Sequence, residues 1–142
     1  MSDDIYSRDD VLTIYGRKQL RPELDVSTRP LESNIPEMVT FAMPDGSLMA
    51  VNTRQEIIIG RRPRDEDPPV TINLEEFDGR ASGVSRHHAM IKSFKGALML
   101  VDLDSINGTF INGRRALPLK RYALIDQDEI TVGKLTIKLL YP

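Results

Sequence analysis

The sequence predicts an all-β protein, a sandwich of two antiparallel sheets behind an N-terminal extension of different character. Three observations predict it. After Pro36, short β-favouring runs alternate with turn residues at the spacing of a sandwich. The connections include Pro44-Asp45-Gly46 and two Asn-Gly pairs, Asn107-Gly108 and Asn112-Gly113, whose residues tolerate the positive φ of tight turns. And no run after Val39 keeps an apolar period of 3.6 for more than a turn or two.

Residues 1–38 hold no sustained period of 2 or 3.6, and Pro22, Pro30 and Pro36 interrupt what begins there, so they read as a flexible acidic tail. Residues 9–20 are its one candidate helix, with Asp9 and Asp10 in the first turn and Val11, Leu12 and Tyr15 on one side. Alone in water a helix of that length is marginal and needs a docking surface. Residues 39–142 make the domain. Residues 39–42 and 47–51 flank the Pro-Asp-Gly turn as a hairpin, and the apolar run 57–59 is a buried strand. Strands at 70–74, 89–92 and 98–102 follow, then 109–111 between the two Asn-Gly pairs. The chain closes with 129–132, Gly133 and 135–140, where Leu135, Ile137 and Leu139 alternate with Thr136 and Lys138 and bury one face. The pattern accommodates ten or eleven short strands.

The 142 residues suit one ordinary domain with an added segment. An apolar fraction of 40% and a charged fraction of 28% are those of a globular protein. No apolar stretch approaches the roughly 20 residues of a membrane span. Asp3, Asp4, Asp9 and Asp10 stand where a secretory signal would need a basic start and an apolar core. With no cysteine, disulfides and thiolate metal sites are excluded, which suits a reducing, cytoplasmic setting. The net charge of −2 divides into eight acids and five bases before Val39 and thirteen acids and fourteen bases after it. A domain at +1 lacks the basic footprint of a nucleic-acid binder.

Candidate chemistry lies in the connections, where a sandwich carries binding groups on a stiff frame. Gly60-Arg61 follows the buried strand; Gly83-Val84-Ser85-Arg86-His87-His88 and Asp104-Ser105-Ile106-Asn107-Gly108-Thr109 form two further loops. Together they offer the rigid donor fork of Arg61, the Ser85 hydroxyl, main-chain N–H groups near Ser85 and Arg86, and the two-sided amide of Asn107. That set is rich in donors and poor in acids. A phosphate monoester, with about −1.5 to −2 charges and three acceptor oxygens, fits it without any catalytic group.

The ordered series Gly60-Arg61, Ser85-Arg86-His87-His88, Asp102, Ser105, Asn107-Gly108-Thr109 and Asn112-Gly113, closing with Asp128-Glu129-Ile130 and Gly133, resembles the forkhead-associated (FHA) domain family over residues 39–141. The resemblance implies an eleven-stranded β-sandwich that binds phosphothreonine peptides through loops at one end, in signalling by Ser/Thr kinases, without cofactor or metal. By position, Arg61 and Ser85 would hold phosphate, Arg86 would support it, and Asn107 would hold the peptide main chain. Gly60, His88, Gly108 and Thr109 would support the loops. Ile106 stands where many relatives have threonine, so contact there would come from the main chain alone. Gly83 stands where some relatives carry an arginine that selects an acidic residue after the phosphothreonine, so that selection is not expected, with Arg80 as a substitute only if geometry allows. Threonine would be preferred over serine by a pocket for one methyl, worth about 1 to 3 kcal/mol.

Other readings carry less weight. His87 and His88 alternate across a strand and cannot chelate one ion, and Ser85, His88 and Asp102 supply the letters of a hydrolase triad without an oxyanion hole or a strained nucleophile turn. The alternative of another class is a phosphorylation-independent scaffold or oligomerisation domain. The expected partner is a phosphothreonine protein, neither nucleic acid nor membrane, and Thr13 and Thr28 of the tail are candidate phosphosites that could make an internal ligand.

Overall fold

The computed structural model describes residues 21–22 and 35–142; the expected helix at 9–20, the character of the tail, Thr13 and Thr28 lie outside the described residues. The strands are β1 (Arg21–Pro22), β2 (Met38–Ala42), β3 (Leu48–Asn52), β4 (Ile57–Gly60), β5 (Ile72–Asn73), β6 (His87–Phe94), β7 (Ala97–Asp102), β8 (Thr109–Ile111), β9 (Arg114–Ala116), β10 (Arg121–Leu124), β11 (Glu129–Val132) and β12 (Leu135–Leu140). Eleven of them, β2 to β12, follow Glu37, and β1 adds two residues to the free side of β10. One sheet has the order β1-β10-β7-β6-β4-β5 and the other β3-β2-β12-β11-β8-β9. All named pairs are antiparallel except β4 with β5, which meet in parallel at Ile59↔Ile72 and Gly60↔Asn73. Among the described residues no helix is long and apolar enough to cross a membrane.

Strand alternation builds the core between the sheets. Phe41 on β2, Ile59 on β4, Ile91 on β6, Leu100 on β7, Ile130 on β11 and Leu139 on β12 all point inward and are wholly buried. The inward row of β7 runs Leu98, Leu100, Asp102, so a carboxylate replaces the apolar side chain where the strand reaches its loop.

Two expectations are revised. The strand at 70–74 shrinks to Ile72–Asn73, because the Asn73 side chain accepts from the Glu75 N–H and starts a single 3-10 turn, Leu74–Phe77. Strands β9 and β10 were not anticipated: Arg114-Arg115 and Lys120-Arg121 break the apolar pattern, yet Ala116, Tyr122 and Leu124 are buried.

Strand direction decides which loops share an end. β4 runs toward its Gly60 end, β6 starts beside it at His87, β7 returns to that end at Asp102 by pairing with Ala89, and β8 leaves it at Thr109. The β9–β10 loop joins them through Leu119, whose N–H donates to the Asp102 carbonyl (2.9 Å), and the β11–β12 turn through Gly133. The Asn112-Gly113 turn lies at the opposite end, where β8 meets β9.

Candidate functional site

Gly60 is where the site begins. The β4–β6 ladder shifts register there: Ile59 pairs with Ala89 but Gly60 with His87, leaving His88 as the extra residue of a bulge. A Cβ on Gly60 would fall 1.9 Å from the Arg86 carbonyl oxygen, an approach that only glycine permits. That contact lets the Arg61 N–H donate to the same carbonyl at 3.1 Å, while Arg61 Nε donates to the Val84 carbonyl at 2.7 Å. Arg61 thus brackets Ser85 from both sides, main chain to residue 86 and side chain to residue 84. The Nε bond fixes the guanidinium plane, and among the described residues its two terminal nitrogens have no partner.

His88 holds two loops together. It is wholly buried; its Nδ1 accepts from the Ser85 N–H at 3.0 Å and its Nε2 lies 2.8 Å from the Gly108 carbonyl. An amide can only donate and a carbonyl only accept, so the ring is neutral with its proton on Nε2. Burial pushes its pKa below the ordinary histidine value, against the smaller opposing pulls of the Gly108 carbonyl and the Asp102 charge.

Asp102, 1% exposed, shapes the third loop from beneath. Its Oδ1 accepts from the Ser105 and Thr109 hydroxyls at 2.6 Å each, and its Oδ2 from the Ser105 N–H at 3.1 Å. The Ser105 oxygen in turn accepts from the Gly108 N–H at 3.0 Å, and Gly108 turns with φ +87°. The loop's outer residues, Ile106 and Asn107, are left exposed, Ile106 at 87%. Asn107 reaches across to the second loop, its Nδ2 donating to the Gly83 carbonyl at 2.9 Å. Gly83 has φ +84°, and a Cβ there would lie 2.7 Å from that Nδ2. The residue that removes an arginine from this position is also the one that seats Asn107.

The arginines of the first loop part ways. Arg62 Nε donates to the Asp67 carbonyl and its Nη2 to the Asp65 carbonyl, while Arg64 pairs with the Asp67 carboxylate at 2.9 Å. Arg86 also approaches Asp67, at 3.6 Å, with its side chain 52% exposed. The hydrogen bond from Arg64 holds the Asp67 carboxyl below the usual range. Arg61 keeps its terminal nitrogens open.

The structure therefore brings Arg61, Ser85, Arg86, Ile106 and Asn107 to one end, on supports that include Gly60, His88, Gly108 and Thr109. Sequence reasoning missed Asp67, which one acid among Asp65, Glu66 and Asp67 could not advertise, and the roles of Val84 and Gly83 as main-chain acceptors, which carry no side-chain signal. The hydrolase letters make no relay: His88 takes the Ser85 main chain rather than its hydroxyl, and the Asp102 carboxylate binds Ser105 and Thr109.

Comparison with known proteins identifies the architecture. The FHA domain family model matches residues 57–133, more than half of the chain and the whole of the site. The chain belongs to the FHA domain family. Protein FraH of Nostoc sp. (strain PCC 7120 / SAG 25.82 / UTEX 2576) is 37% identical over 73 residues, 51% of this chain but only 25% of that relative. Among solved structures, the FhaA FHA domain complexed with the intracellular domain of Rv3910 is 31% identical, with TM-score 0.54, covering 71% of this chain and 98% of that one. A structure from work on phosphothreonine-dependent FHA domain interactions is 28% identical, with TM-score 0.57 and coverages of 74% and 97%. The N-terminal FHA domain of S. cerevisiae Rad53p, solved with a phosphothreonine peptide, shares the fold at 22% identity and TM-score 0.58, covering 74% of this chain and 94% of its own.

Proposed function

We propose that this FHA domain is a phosphothreonine-peptide-binding module in Ser/Thr-kinase signalling that works by binding alone, without catalysis or cofactor. The observation that carries the reading is the Arg61 bracket: a guanidinium locked on the Val84 carbonyl and open at its two terminal nitrogens, with the Arg61 main chain bonded to the Arg86 carbonyl, so that its two bonds fall on either side of Ser85 in the chain. Arg61 and Ser85 take the phosphate oxygens. Arg86, held at the margin by Asp67, adds charge. Ile106 contributes its main-chain N–H and an exposed apolar wall, and Asn107, steadied on Gly83, bonds the ligand main chain. Two of the relatives support the class of ligand, since their structures concern phosphothreonine-dependent interactions. A setting in the cytoplasm agrees with the absence of cysteine.

The test is an NMR titration of the full chain with matched phosphothreonine, phosphoserine and unphosphorylated peptides. Amide shifts centred on Arg61, Ser85 and Asn107 with the phosphothreonine peptide, weaker ones with phosphoserine and none without phosphate are expected. Equal binding of the unphosphorylated peptide would replace this reading with a phosphorylation-independent scaffold.

The partner is a phosphothreonine protein or the chain's own tail carrying phosphate on Thr13 or Thr28, installed by an upstream Ser/Thr kinase. If the tail is the ligand, the phosphorylated full chain binds external peptide more weakly than residues 35–142 alone, and equal affinities exclude it.

A further inference from the structure

Beside Asn107 stands a second cationic feature that the phosphate cradle does not use. Arg115 lies on the outward face of β9, paired with Phe110 of β8, and its guanidinium turns back toward the loop end of the sandwich. Its Nε, Cζ and Nη2 atoms lie 3.3, 3.4 and 3.4 Å from where a Gly108 Cβ would be, so the head group lies against Gly108. On the other side of Gly108, the Gly133 N–H points to the Gly108 carbonyl (3.4 Å), and the Lys134 N–H donates to the Ser82 carbonyl (2.8 Å). Arg115 and Lys134 therefore flank the base of the loop that presents Asn107. Neither has an acidic partner among the described residues, whereas Arg64 and Arg86 at the same end share Asp67.

We propose that Arg115, with Lys134 across Gly108 from it, forms a subsite for an acidic side chain of the bound peptide, on the Asn107 side of the phosphothreonine. The inference rests on the phosphopeptide reading and deepens it. A peptide whose main chain is held by Asn107 runs near the Gly108 corner, and a cation lying against that corner is placed to meet a carboxylate there. The guanidinium fork suits a carboxylate in two-point contact, and Lys134 adds a mobile charge.

The test uses the full chain and a short alanine-based phosphothreonine peptide in which one glutamate is moved along the sequence, each beside its unphosphorylated copy. Wild type is expected to bind best with glutamate at one or two neighbouring positions on a single side of the phosphothreonine. The gain over alanine should be about 1.5-fold to fivefold, the scale of exposed ion pairs, and should shrink with added salt. Arg115→Gln, which keeps length and planarity without charge, is expected to bring that ratio close to one. Arg115→Glu with Lys134→Glu should invert it in favour of lysine at the same positions. An unchanged glutamate profile in both variants overturns the subsite while leaving phosphate dependence standing. Loss of phosphate dependence in wild type overturns the functional reading itself, and this inference with it.

Discussion

Replacing Arg61 separates charge from geometry. In Arg61→Ala the phosphate loses its locked cationic partner, which costs about 2 to 5 kcal/mol for a charge pair taken out of water, or about 30-fold to 5,000-fold in affinity. Arg61→Lys keeps the charge but cannot do two things at once. The guanidinium spends Nε on the Val84 carbonyl at 2.7 Å and still offers two nitrogens to the ligand. A lysine ammonium has one nitrogen on a flexible stem, so it either bonds Val84 or swings free. The deficit is about one hydrogen bond to a charged partner, about 1.5 to 3 kcal/mol, so affinity should fall about 10-fold to 150-fold. Either change also removes the Nε bond that ties β4 to the second loop, about 0.5 to 1.5 kcal/mol of stability, which lowers the melting temperature by a few degrees. Fluorescence anisotropy with a labelled phosphothreonine peptide, beside thermal unfolding of each variant, measures both. Were Arg61→Lys to bind as tightly as wild type, fixed orientation would not be what Arg61 supplies, and the bracket around Ser85 would lose its meaning.

Three further outcomes are expected. Gly60→Ala places a Cβ against the Arg86 main chain, so β4 and β6 must part; unfolding in urea should show a loss of about 1 to 3 kcal/mol together with loss of peptide binding. Asn107→Ala removes an exposed side chain whose one bond among the described residues is to the Gly83 carbonyl, so binding should weaken about tenfold or more while the unfolding midpoint barely moves, and a matching drop in stability would contradict its assignment to the ligand. Stability without peptide should fall as pH is lowered. The folded-state pKa of His88 is depressed, so its contribution is complete above the unfolded value near 6.5 and is lost as pH falls toward the folded one, the unfolded chain binding the extra proton. Urea midpoints from about pH 8 to about pH 5, with the His88 ring followed by NMR, should show ring protonation and loosening of the Ser85 amide together, and a His88 that titrates without that amide moving would refute the link.

Much of this molecule was legible because its signals are local. Period-2 alternation located β12, turn chemistry located the β2–β3 hairpin and β8, and the spaced Gly60-Arg61, Ser85 and Asn107 pointed to the loops that meet at one end. What escaped had no local signal. β9 and β10 put arginines on the outside of short strands whose burial comes from a distant partner, Tyr122 against Leu100 of β7 for example. The strand near Ile72 was overdrawn because Asn73 gives its side chain to the next turn. Asp67 and Gly83 act through residues remote in sequence, Arg86 and Asn107, so their importance exists only in the fold.

The same remoteness explains why one arginine of the first loop is open. Arg61, Arg62, Arg64 and the nearby Arg86 are equivalent in composition, and close together they would repel one another. Asp67 divides them: its carboxylate takes Arg64 and Arg86, and its carbonyl takes Arg62. Arg61 is tied only to neutral carbonyl, which orients it without cancelling its charge. Beneath the loops, His88 and Asp102 are buried polar groups that a packed core would ordinarily exclude, and they are tolerated because their bonds go to the main chain and hydroxyls of the loops themselves. Each loop is thereby fixed before a ligand arrives, and the ordering that a flexible loop would have to undergo on binding has already been done in folding. An end of the sandwich held by such bonds, with the Arg61 guanidinium oriented but uncancelled in its first loop, is built to meet a dianion.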